Sequence, residues 1–201
     1  MYSYVVARDY GFAPNPFFGY CTLATCKPEI RRISGPGDWI IGTGTAQRKR
    51  AEFVVYAMQV AESISFNQYW SDARFQSKKP FLRGSKKQAF GDNIYCKPAG
   101  AKKWRQLNSH HSYLDGSANQ ANIDNDTRVD RVLVATRFTY WGGNGPKIPD
   151  RFRRPPDSEV RAKRGHRSNF SEDFIEQFLK WISGLGVNGY VGEPLDWERT
   201  P

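Results

Sequence analysis

Cysteine and methionine are scarce in this chain, whose 201 residues include three cysteines and two methionines. An odd, small number of cysteines in a chain of this length excludes a disulfide scaffold, so Cys21, Cys26 and Cys96 are expected to be reduced thiols. No second Cys pair and no His-x-x-x-His element accompanies Cys21 and Cys26, and a zinc site would need one of the two. We therefore expect no metal and no other cofactor.

Long apolar runs are missing too. The longest apolar stretch, around residues 53–58, is much shorter than the roughly 18 residues that a membrane-spanning helix requires. The N-terminus also lacks the basic segment followed by an apolar one that marks a secretory signal. The sequence therefore predicts a cytoplasmic protein without a membrane partner.

Common catalytic signatures are absent as well. The sequence has no P-loop, no H-E-x-x-H zinc motif and no G-x-S-x-G nucleophile turn. Their absence makes a familiar hydrolase or nucleoside triphosphatase unexpected, although it does not exclude an enzyme.

Positive charge, by contrast, is abundant and uneven. Lys and Arg number 30 against 20 Asp and Glu, which gives a net charge of +10 and a pI near 9.6. Residues 78–103 hold eight basic residues and one acid, and residues 147–167 hold eight basic residues and three acids. Both stretches interleave the charges with aromatic, Gly or Pro residues, a mixture that suits loops contacting a phosphate backbone and stacking on bases. We expect a nucleic acid or nucleotide partner, with DNA favoured; the alternative is that both stretches are ordinary solvated loops.

Periodicity and turn residues predict a β-rich α+β domain of about six strands and a few helices, built as one unit over residues 1–201. The predicted strands are 3–8, 39–45, 52–63 and 130–141, with a pair of short strands at 92–96 and 103–107. The predicted helices are 28–34, 65–75 and 171–184. In the first helix Ile30 and Ile33 should face inward and Arg31 and Arg32 outward, whereas the last helix is amphipathic and should begin at an N-cap, Ser171.

The segment 91–112 carries the densest set of chemical groups. Its polar and aromatic side chains include Asp92, Asn93, Tyr95, Trp104, Gln106, Ser109, His110, His111 and Ser112. An amide can read the edge of a base while a Trp or Tyr ring stacks on its plane. Either histidine could also act as a general acid or base. The alternative is that the two histidines are exposed turn residues.

A second candidate pocket lies near the start of the chain. Asn15 and Phe18 precede a polar strand that contains Thr22, and Lys27 and Arg31 follow at the start of a helix. Such a set suits an anion or a base; the alternative is turn chemistry with core packing. A weaker phosphate-binding candidate precedes the last helix and consists of Arg164 and Arg167.

Three segments carry a resemblance to a known family. They read GFAPNPFFGYCTLATCKPEIRR, GDWIIGTGT and FGDNIY, and a W-x-Q-x-x-S-x-H pattern formed by Trp104, Gln106, Ser109 and His111 follows the third. Together they resemble the nucleotide modification associated domain 2 family over most of the chain. The resemblance implies a prokaryotic or phage protein found with DNA-modification and defence systems.

The predicted order of elements is similar, more distantly, to that of PUA-like barrels such as the EVE, ASCH and YTH domains. That resemblance implies a β-barrel that holds a modified base in an aromatic-lined pocket. Thr43-Gly44-Thr45 stands where EVE domains usually place Tyr-His-Ser, so the base contacts are expected to differ.

The resulting hypothesis is a PUA-like β-barrel of about six strands that binds nucleic acid without catalysis and recognises a modified nucleobase. The base would contact Asn15, Phe18, Thr22, Trp39, Thr43, Asp92, Asn93, Tyr95, Trp104, Gln106, Ser109 and His111. The phosphates would contact Lys27, Arg31, Lys86, Lys87, Arg153, Arg154, Arg164 and Arg167.

Two alternatives to a base-recognition module stay open. The first is an enzyme acting on a nucleotide or modified base, in which His110 or His111 and Asp92 serve as acid and base. The second is a defence-system component that binds a free nucleotide or a protein partner through its basic loops.

Overall fold

The computed structural model describes residues 1–155 and 158–199 and contains both strands and helices. The strands are β1 (Tyr2–Val5), β2 (Cys21–Leu23), β3 (Trp39–Thr43), β4 (Val54–Gln59), β5 (Glu62–Ile64), β6 (Tyr95–Cys96), β7 (Arg105–Gln106), β8 (Val132–Ala135), β9 (Arg137–Tyr140), β10 (Arg153–Arg154), β11 (Ser158–Glu159), β12 (His166–Arg167) and β13 (Gly189–Tyr190). The α-helices are α1 (Pro28–Ile33), α2 (Phe66–Ser71), α3 (Lys86–Ala89), α4 (Gln120–Thr127) and α5 (Glu172–Gly184). No helix within these described residues has the length and apolar character needed to cross a membrane. The predicted α+β class is confirmed.

Contacts between residues divide the chain into two compact units. Unit 1 comprises residues 1–9, 37–60 and 136–201, and unit 2 comprises residues 10–36 and 61–135. Both units join segments that are distant in sequence, so each depends on long-range pairing, which is slow to form compared with local contacts.

Unit 1 is built on a six-stranded mixed sheet in the order β12-β1-β3-β4-β9-β13. β1 is parallel to β3 and β9 is parallel to β13, while the other neighbouring strands are antiparallel. Ile41 of β3 and Ala57 of β4 share a buried cluster with Phe174, Phe178 and Ile182 of α5. The amphipathic helix therefore buries its apolar face against this sheet.

The bounds of α5 follow from its sequence. Ser171 is the N-cap, and its hydroxyl accepts a hydrogen bond from the Phe174 N–H at 3.2 Å. Glu172 and Asp173 lie in the first turn, where negative charge stabilises the helix dipole. The predicted helix and its N-cap are confirmed.

Unit 2 contains a three-stranded antiparallel sheet in the order β2-β8-β5 and a short β6-β7 hairpin. The predicted pairing of segments 92–96 and 103–107 is confirmed, with Tyr95 opposite Gln106. The predicted helix at 65–75 ends earlier, at Ser71, because Asp72 takes an extended conformation and its side chain caps a following 3₁₀ segment.

The two longest predicted strands were wrong in the same way. The segment 52–63 divides into β4 of the six-stranded sheet and β5 of the three-stranded sheet, and the segment 130–141 divides into β8 and β9 of the same two sheets. The partner changes abruptly, since Ala135 pairs with Cys21 and Arg137 pairs with Gln59. Apolar content runs through both breaks, so the sequence pattern does not reveal the change of sheet.

The first helix was predicted with the correct start and an end one residue too late, and its orientation was partly wrong. Ile30 is buried as expected, but Ile33 is 37% exposed. Arg31, predicted to face outward, is fully buried and donates to the backbone carbonyls of Cys26, Asp126, Val129 and Arg131. Four carbonyl acceptors replace the water that its guanidinium would otherwise require.

Within residues 1–155 and 158–199 the strands form open sheets, and none of these sheets closes into a barrel. The β12 and β13 strands occupy opposite edges of the six-stranded sheet. The expected PUA-like barrel is therefore not confirmed.

Candidate functional site

Cys26 occupies a strained turn in unit 2 between a strand and a helix. The chain leaves β2 at Leu23, and Cys26 and Lys27 then adopt φ angles of 57° and 39°, after which α1 begins at Pro28. Positive φ is costly for residues with a side chain and is often retained at functional positions. The turn leaves Cys26 partly exposed, whereas Cys21 and Cys96 are buried.

Cys26, His111 and Asp126 form a hydrogen-bonded relay. Cys26 Sγ lies 3.7 Å from His111 Nε2, and His111 Nδ1 lies 2.7 Å from Asp126 Oδ2. The imidazole thus contacts a thiol through one ring nitrogen and a carboxylate through the other. This is the arrangement in which a base takes the proton of a nucleophile and a third group orients the base.

Asp126 is held in place by further donors. Its side chain is fully buried, and its Oδ1 accepts the Cys26 N–H at 2.8 Å while its Oδ2 accepts the Tyr95 hydroxyl at 2.9 Å. Gln106 Nε2 donates to the Tyr95 oxygen at 3.1 Å and to the His111 carbonyl at 3.3 Å. These contacts fix the carboxylate that orients the imidazole.

Charge favours a protonated imidazole at this site. Burial alone would lower the pKa of His111, but its hydrogen bonds with Asp126 and Cys26 raise that pKa to about 9. Burial raises the pKa of the Tyr95 hydroxyl, and the Asp126 carboxylate raises it further, so this phenol stays neutral as a donor. The raised pKa of His111 favours the imidazolium form, in which both ring nitrogens are donors.

Arg31 links the chain segments that carry the Cys26 thiol and the Asp126 carboxylate. Its guanidinium donates to the carbonyls of both Cys26 and Asp126, the two residues that flank His111 in the relay. Burial lowers its pKa to about 10, while the Asp126 carboxylate opposes that change. Arg31 is therefore placed to hold the relay geometry and not to meet a phosphate.

Cys26, His111 and Asp126 are also a candidate set of metal ligands. One donor atom each from Cys26, His111 and Asp126 lies within 4.8 Å of the others. They are arranged in line, however, because His111 uses Nδ1 for Asp126 and Nε2 for Cys26. A metal ion binds only one nitrogen of an imidazole ring. An ion at His111 Nε2 could be coordinated by His111 and Cys26, and Asp126 would then contact the other ring nitrogen without coordinating the ion. Two ligands are fewer than a zinc site requires, and the geometry fits a proton relay better.

Comparison with known proteins places the chain in a family. The family model for nucleotide modification associated domain 2 covers residues 1–201. This chain belongs to that family. No curated protein and no solved structure matches it. A relation to nucleotide modification is therefore shown at the level of the family, and the roles of individual residues in this family member rest on the geometry of the chain.

An aromatic cluster adjoins the relay in unit 2. The Tyr10 and Phe90 rings stack with centroids 5.3 Å apart, and the exposed His110 ring lies 4.6 Å from Tyr10. Phe12 contacts both histidines, with its ring centroid 4.7 Å from that of His111. Tyr10 is partly exposed and His110 is exposed next to the relay, whereas Phe12 and Phe90 are buried.

Four predicted base-binding residues instead form a buried polar network. Lys78 Nζ donates to Asn15 Oδ1 at 2.6 Å and to Thr22 Oγ1 at 3.1 Å, and Asp92 accepts from Thr22 and from Tyr69, both at 2.7 Å. The network is completed by Asn93, whose amide donates to the Tyr69 and Phe75 carbonyls. Burial raises the pKa of Asp92 and lowers that of Lys78 to about 8.

The carboxylate beside His111 is therefore Asp126, and the predicted partner Asp92 is used elsewhere. Asp92 is fully buried among the hydroxyls of Thr22 and Tyr69, so its contacts are those of a core residue that stabilises the fold. The pairing of a histidine with Asp92 as acid and base was wrong.

The other predicted base-binding residues are dispersed. In unit 2, Phe18 is exposed, Trp104 packs edge-on against Phe66 with centroids 5.5 Å apart, and Ser109 accepts the His111 N–H at 3.3 Å. In unit 1, Thr43 is buried and donates to the Tyr4 carbonyl.

Trp39 belongs to a separate cleft in unit 1. The cleft has a volume of about 340 Å³ and lies among Trp39, Arg137, Ile182, Ser183 and Asn188, with further lining residues from β9. The Arg137 guanidinium lies over one face of the Trp39 ring, 5.2 Å from the ring centroid.

The predicted phosphate-binding residues differ in how accessible they are. Those exposed at the surface are Lys86, Lys87, Arg154 and Arg164, and Lys27 is partly buried. Arg153 is engaged by the carboxylates of Glu52 and Asp150, and the Arg167 guanidinium lies 5.4 Å from the Phe170 ring. Residues 156 and 157 of the second basic stretch lie outside the described residues.

His111, Tyr95, Gln106 and Ser109 were among the predicted site residues, whereas Cys26 and Asp126, which contact the His111 ring, were not. Cys26 was interpreted only as a reduced thiol, although its position between a strand and a Pro-initiated helix was a usable signal. Asp126 lies in the polar segment 122–127 of α4, where nothing in the sequence distinguishes it from Asp124.

Proposed function

We propose that this protein is a cysteine-dependent enzyme that removes or transfers an acyl group carried by a nucleotide or nucleobase. The observation that carries the proposal is the relay from Cys26 through His111 to Asp126, with contacts of 3.7 and 2.7 Å. A thiol, an imidazole and a carboxylate in this order are the parts that acyl-transfer chemistry requires.

The relay supports a balanced two-step reaction. The Cys26 thiolate attacks the carbonyl carbon of an acylated amine, and the C–N bond breaks as the His111 imidazolium gives its proton to the departing nitrogen. Water then attacks the thioester, His111 accepts a proton from that water, and the acid leaves as the thiolate reforms. The Asp126 carboxylate holds the imidazole in position through both steps.

Two features support a nucleotide as the carrier of the acyl group. The family to which the chain belongs is named for nucleotide modification. The rings of Tyr10, which is partly exposed and stacks on the buried Phe90, and of the exposed His110 are planar surfaces beside the relay, and ring stacking is tolerant of base identity.

Turnover of a panel of acylated nucleosides and oligonucleotides tests this proposal. The purified protein is incubated with nucleosides and oligonucleotides acylated on exocyclic amines, and the freed amine and any adduct on the protein are followed by mass spectrometry. Cys26→Ser should abolish turnover, and His111→Gln should lower it by about a hundredfold or more. Cys96→Ser, a matched change at a buried thiol outside the relay, should retain activity. Turnover that survives Cys26→Ser would overturn the proposal, as would its absence over the whole panel.

Recognition of a modified base without catalysis is a second candidate function. It is favoured by the aromatic cluster, in which Tyr10, Phe12, Phe90 and His110 present rings in contact with one another. In this version the protein reads a modified base in DNA, as PUA-like domains do, and the relay only shapes the pocket. Discrimination between modified and unmodified DNA that persists unchanged in Cys26→Ser, with no turnover in the parent protein, would favour it.

A further inference from the structure

The first basic stretch exposes two adjacent apolar side chains at its tip. Phe81 is 56% exposed and Leu82 is 49% exposed. Neighbouring large apolar side chains left in solvent are a feature of surfaces that bind a partner.

The tip is ordered by its own hydrogen bonds. The Phe81 N–H donates to the Gln88 carbonyl at 2.9 Å, and the Gly84 N–H donates to the Phe81 carbonyl at 3.0 Å. Ser85 and Gln88 form a capping box that starts α3 immediately afterwards. A Cβ at Gly84 would lie 2.7 Å from a carbon of the Phe81 ring, so the ring packs closely over the turn. The two apolar side chains are therefore presented by a preorganised turn.

Positive charge surrounds this tip. Arg83, Lys86 and Lys87 are all exposed, and residues 73–91 contain no acid. An apolar pair framed by cations is complementary to stacked bases framed by phosphates.

Unit 2 contains a second turn that differs mainly in charge. Phe81-Leu82-Arg83-Gly84 corresponds in type to Tyr113-Leu114-Asp115-Gly116. Tyr113 is 54% exposed, close to the value for Phe81, and Leu114 is more exposed than Leu82, at 111%. The Gly116 N–H donates to the Tyr113 carbonyl at 2.9 Å. This second turn has an acid where the first has Arg83, so it serves as a matched control.

We propose that Phe81 and Leu82 form a wedge that enters between stacked base pairs of duplex DNA while Arg83, Lys86 and Lys87 contact the phosphates. Side chains of this type unstack base steps in proteins that bend DNA. The inference goes beyond the proposed catalytic function, because it requires only that the chain bind a duplex. A membrane is the less suitable partner, since the apolar part is two residues on a turn and α3 has four residues, too few for an amphipathic surface helix.

A base-stacking reporter tests the wedge in the full chain. A short DNA duplex carrying 2-aminopurine is titrated with protein, and the fluorescence rise that accompanies unstacking is measured together with the dissociation constant. The parent protein and Tyr113→Ala/Leu114→Ala should both bind and give the rise. Phe81→Ala/Leu82→Ala should lose the rise and bind about tenfold or more weakly, whereas Phe81→Trp should keep it. Circular dichroism melting of each variant confirms that it is folded.

The contrary outcomes are equally specific. The wedge is overturned if the folded Phe81→Ala/Leu82→Ala variant matches the parent in both measurements, or if the Tyr113→Ala/Leu114→Ala control loses the rise to the same extent. It is also overturned if the parent shows no duplex binding but binds vesicles of anionic phospholipid, which would assign the tip to a membrane. None of these results bears on turnover by Cys26, so the two proposals fail separately.

Discussion

His111 is the residue on which the proposed chemistry depends, because both of its ring nitrogens are used. Nδ1 contacts Asp126 and Nε2 contacts Cys26, so loss of the imidazole separates the thiol from the carboxylate. The same contacts couple the protonation of His111 to the stability of the fold.

Replacement of His111 should therefore change how stability depends on pH. The folded-state pKa is raised from 6.5 to about 9, so between these values the folded chain holds a proton that the unfolded chain has released. The stabilisation, at most about 3 kcal/mol, is fully present below pH 6.5 and is lost as the pH rises through 9. Urea unfolding at several pH values measures the free energy of unfolding of the parent and of His111→Gln. The difference between the two reports on His111, because Lys78 is present in both proteins and its titration cancels. A difference that does not change with pH would contradict the relay.

The buried Lys78 network makes a second prediction at the residue scale. Lys78→Met leaves the Asp92 carboxylate buried without its cation and should cost about 3 to 5 kcal/mol in the free energy of unfolding. Adding Asp92→Asn to the same variant removes the uncompensated charge and should restore part of the loss. An unfolding free energy of Lys78→Met equal to that of the parent would show that the network is not structural.

Part of the site could be predicted from residue types, and part could not. The spacing of Tyr95, Gln106, Ser109 and His111 around a hairpin predicted their convergence, and the structure places all four around the relay. Arg31 and Asp126 follow from no local pattern, since both are buried by partners about 95 residues away in sequence. Charge alone predicted exposure for Arg31, and four backbone carbonyls, three of them distant in sequence, reversed that expectation.

At the scale of elements, the α5 helix was predicted better than the long strands, whereas the short helices α3 and α4 were not predicted. The N-cap, acidic first turn and apolar spacing of α5 are local signals, and they set its start correctly. The strands β4 and β5, and likewise β8 and β9, were predicted as single elements because partner choice is not encoded in alternation along one segment.

The cap of α5 offers a test at this scale. Ser171→Ala removes the acceptor for the Phe174 N–H and should destabilise the chain by about 1 kcal/mol. Ser168→Ala, an exposed serine outside the helix, is the matched control and should have little effect. Thermal unfolding monitored by circular dichroism compares the two, and equal melting temperatures would show that the cap contributes nothing.

At the scale of the whole molecule, the net charge of +10 is concentrated in two stretches whose cations are not equivalent. Arg83 in the first stretch is exposed, whereas Arg153 in the second is engaged by the carboxylates of Glu52 and Asp150. The position of the charge is visible in the sequence, but the sequence does not distinguish exposed cations from those paired with acids in the fold.

The salt dependence of DNA binding should reflect that difference. A plot of log affinity against log salt concentration has a negative slope. Arg83→Gln should make that slope shallower by about one, because one phosphate contact is lost. Arg153→Gln should leave the slope unchanged, since its guanidinium is already neutralised by two acids. Fluorescence anisotropy over a salt series measures both, and a larger change for Arg153→Gln would contradict this assignment.

The most direct test of the Cys26 relay is the rate at which each of the three thiols reacts with iodoacetamide at neutral pH, resolved by peptide mass spectrometry. We expect Cys26 to react far faster than the buried Cys21, whose pKa burial raises to about 12, and faster than Cys96. His111→Gln should slow the reaction of Cys26 at least about tenfold and leave Cys96 unaffected. If Cys26 reacts no faster than Cys96, or equally fast without His111, the relay does not activate the thiol and the catalytic proposal is wrong.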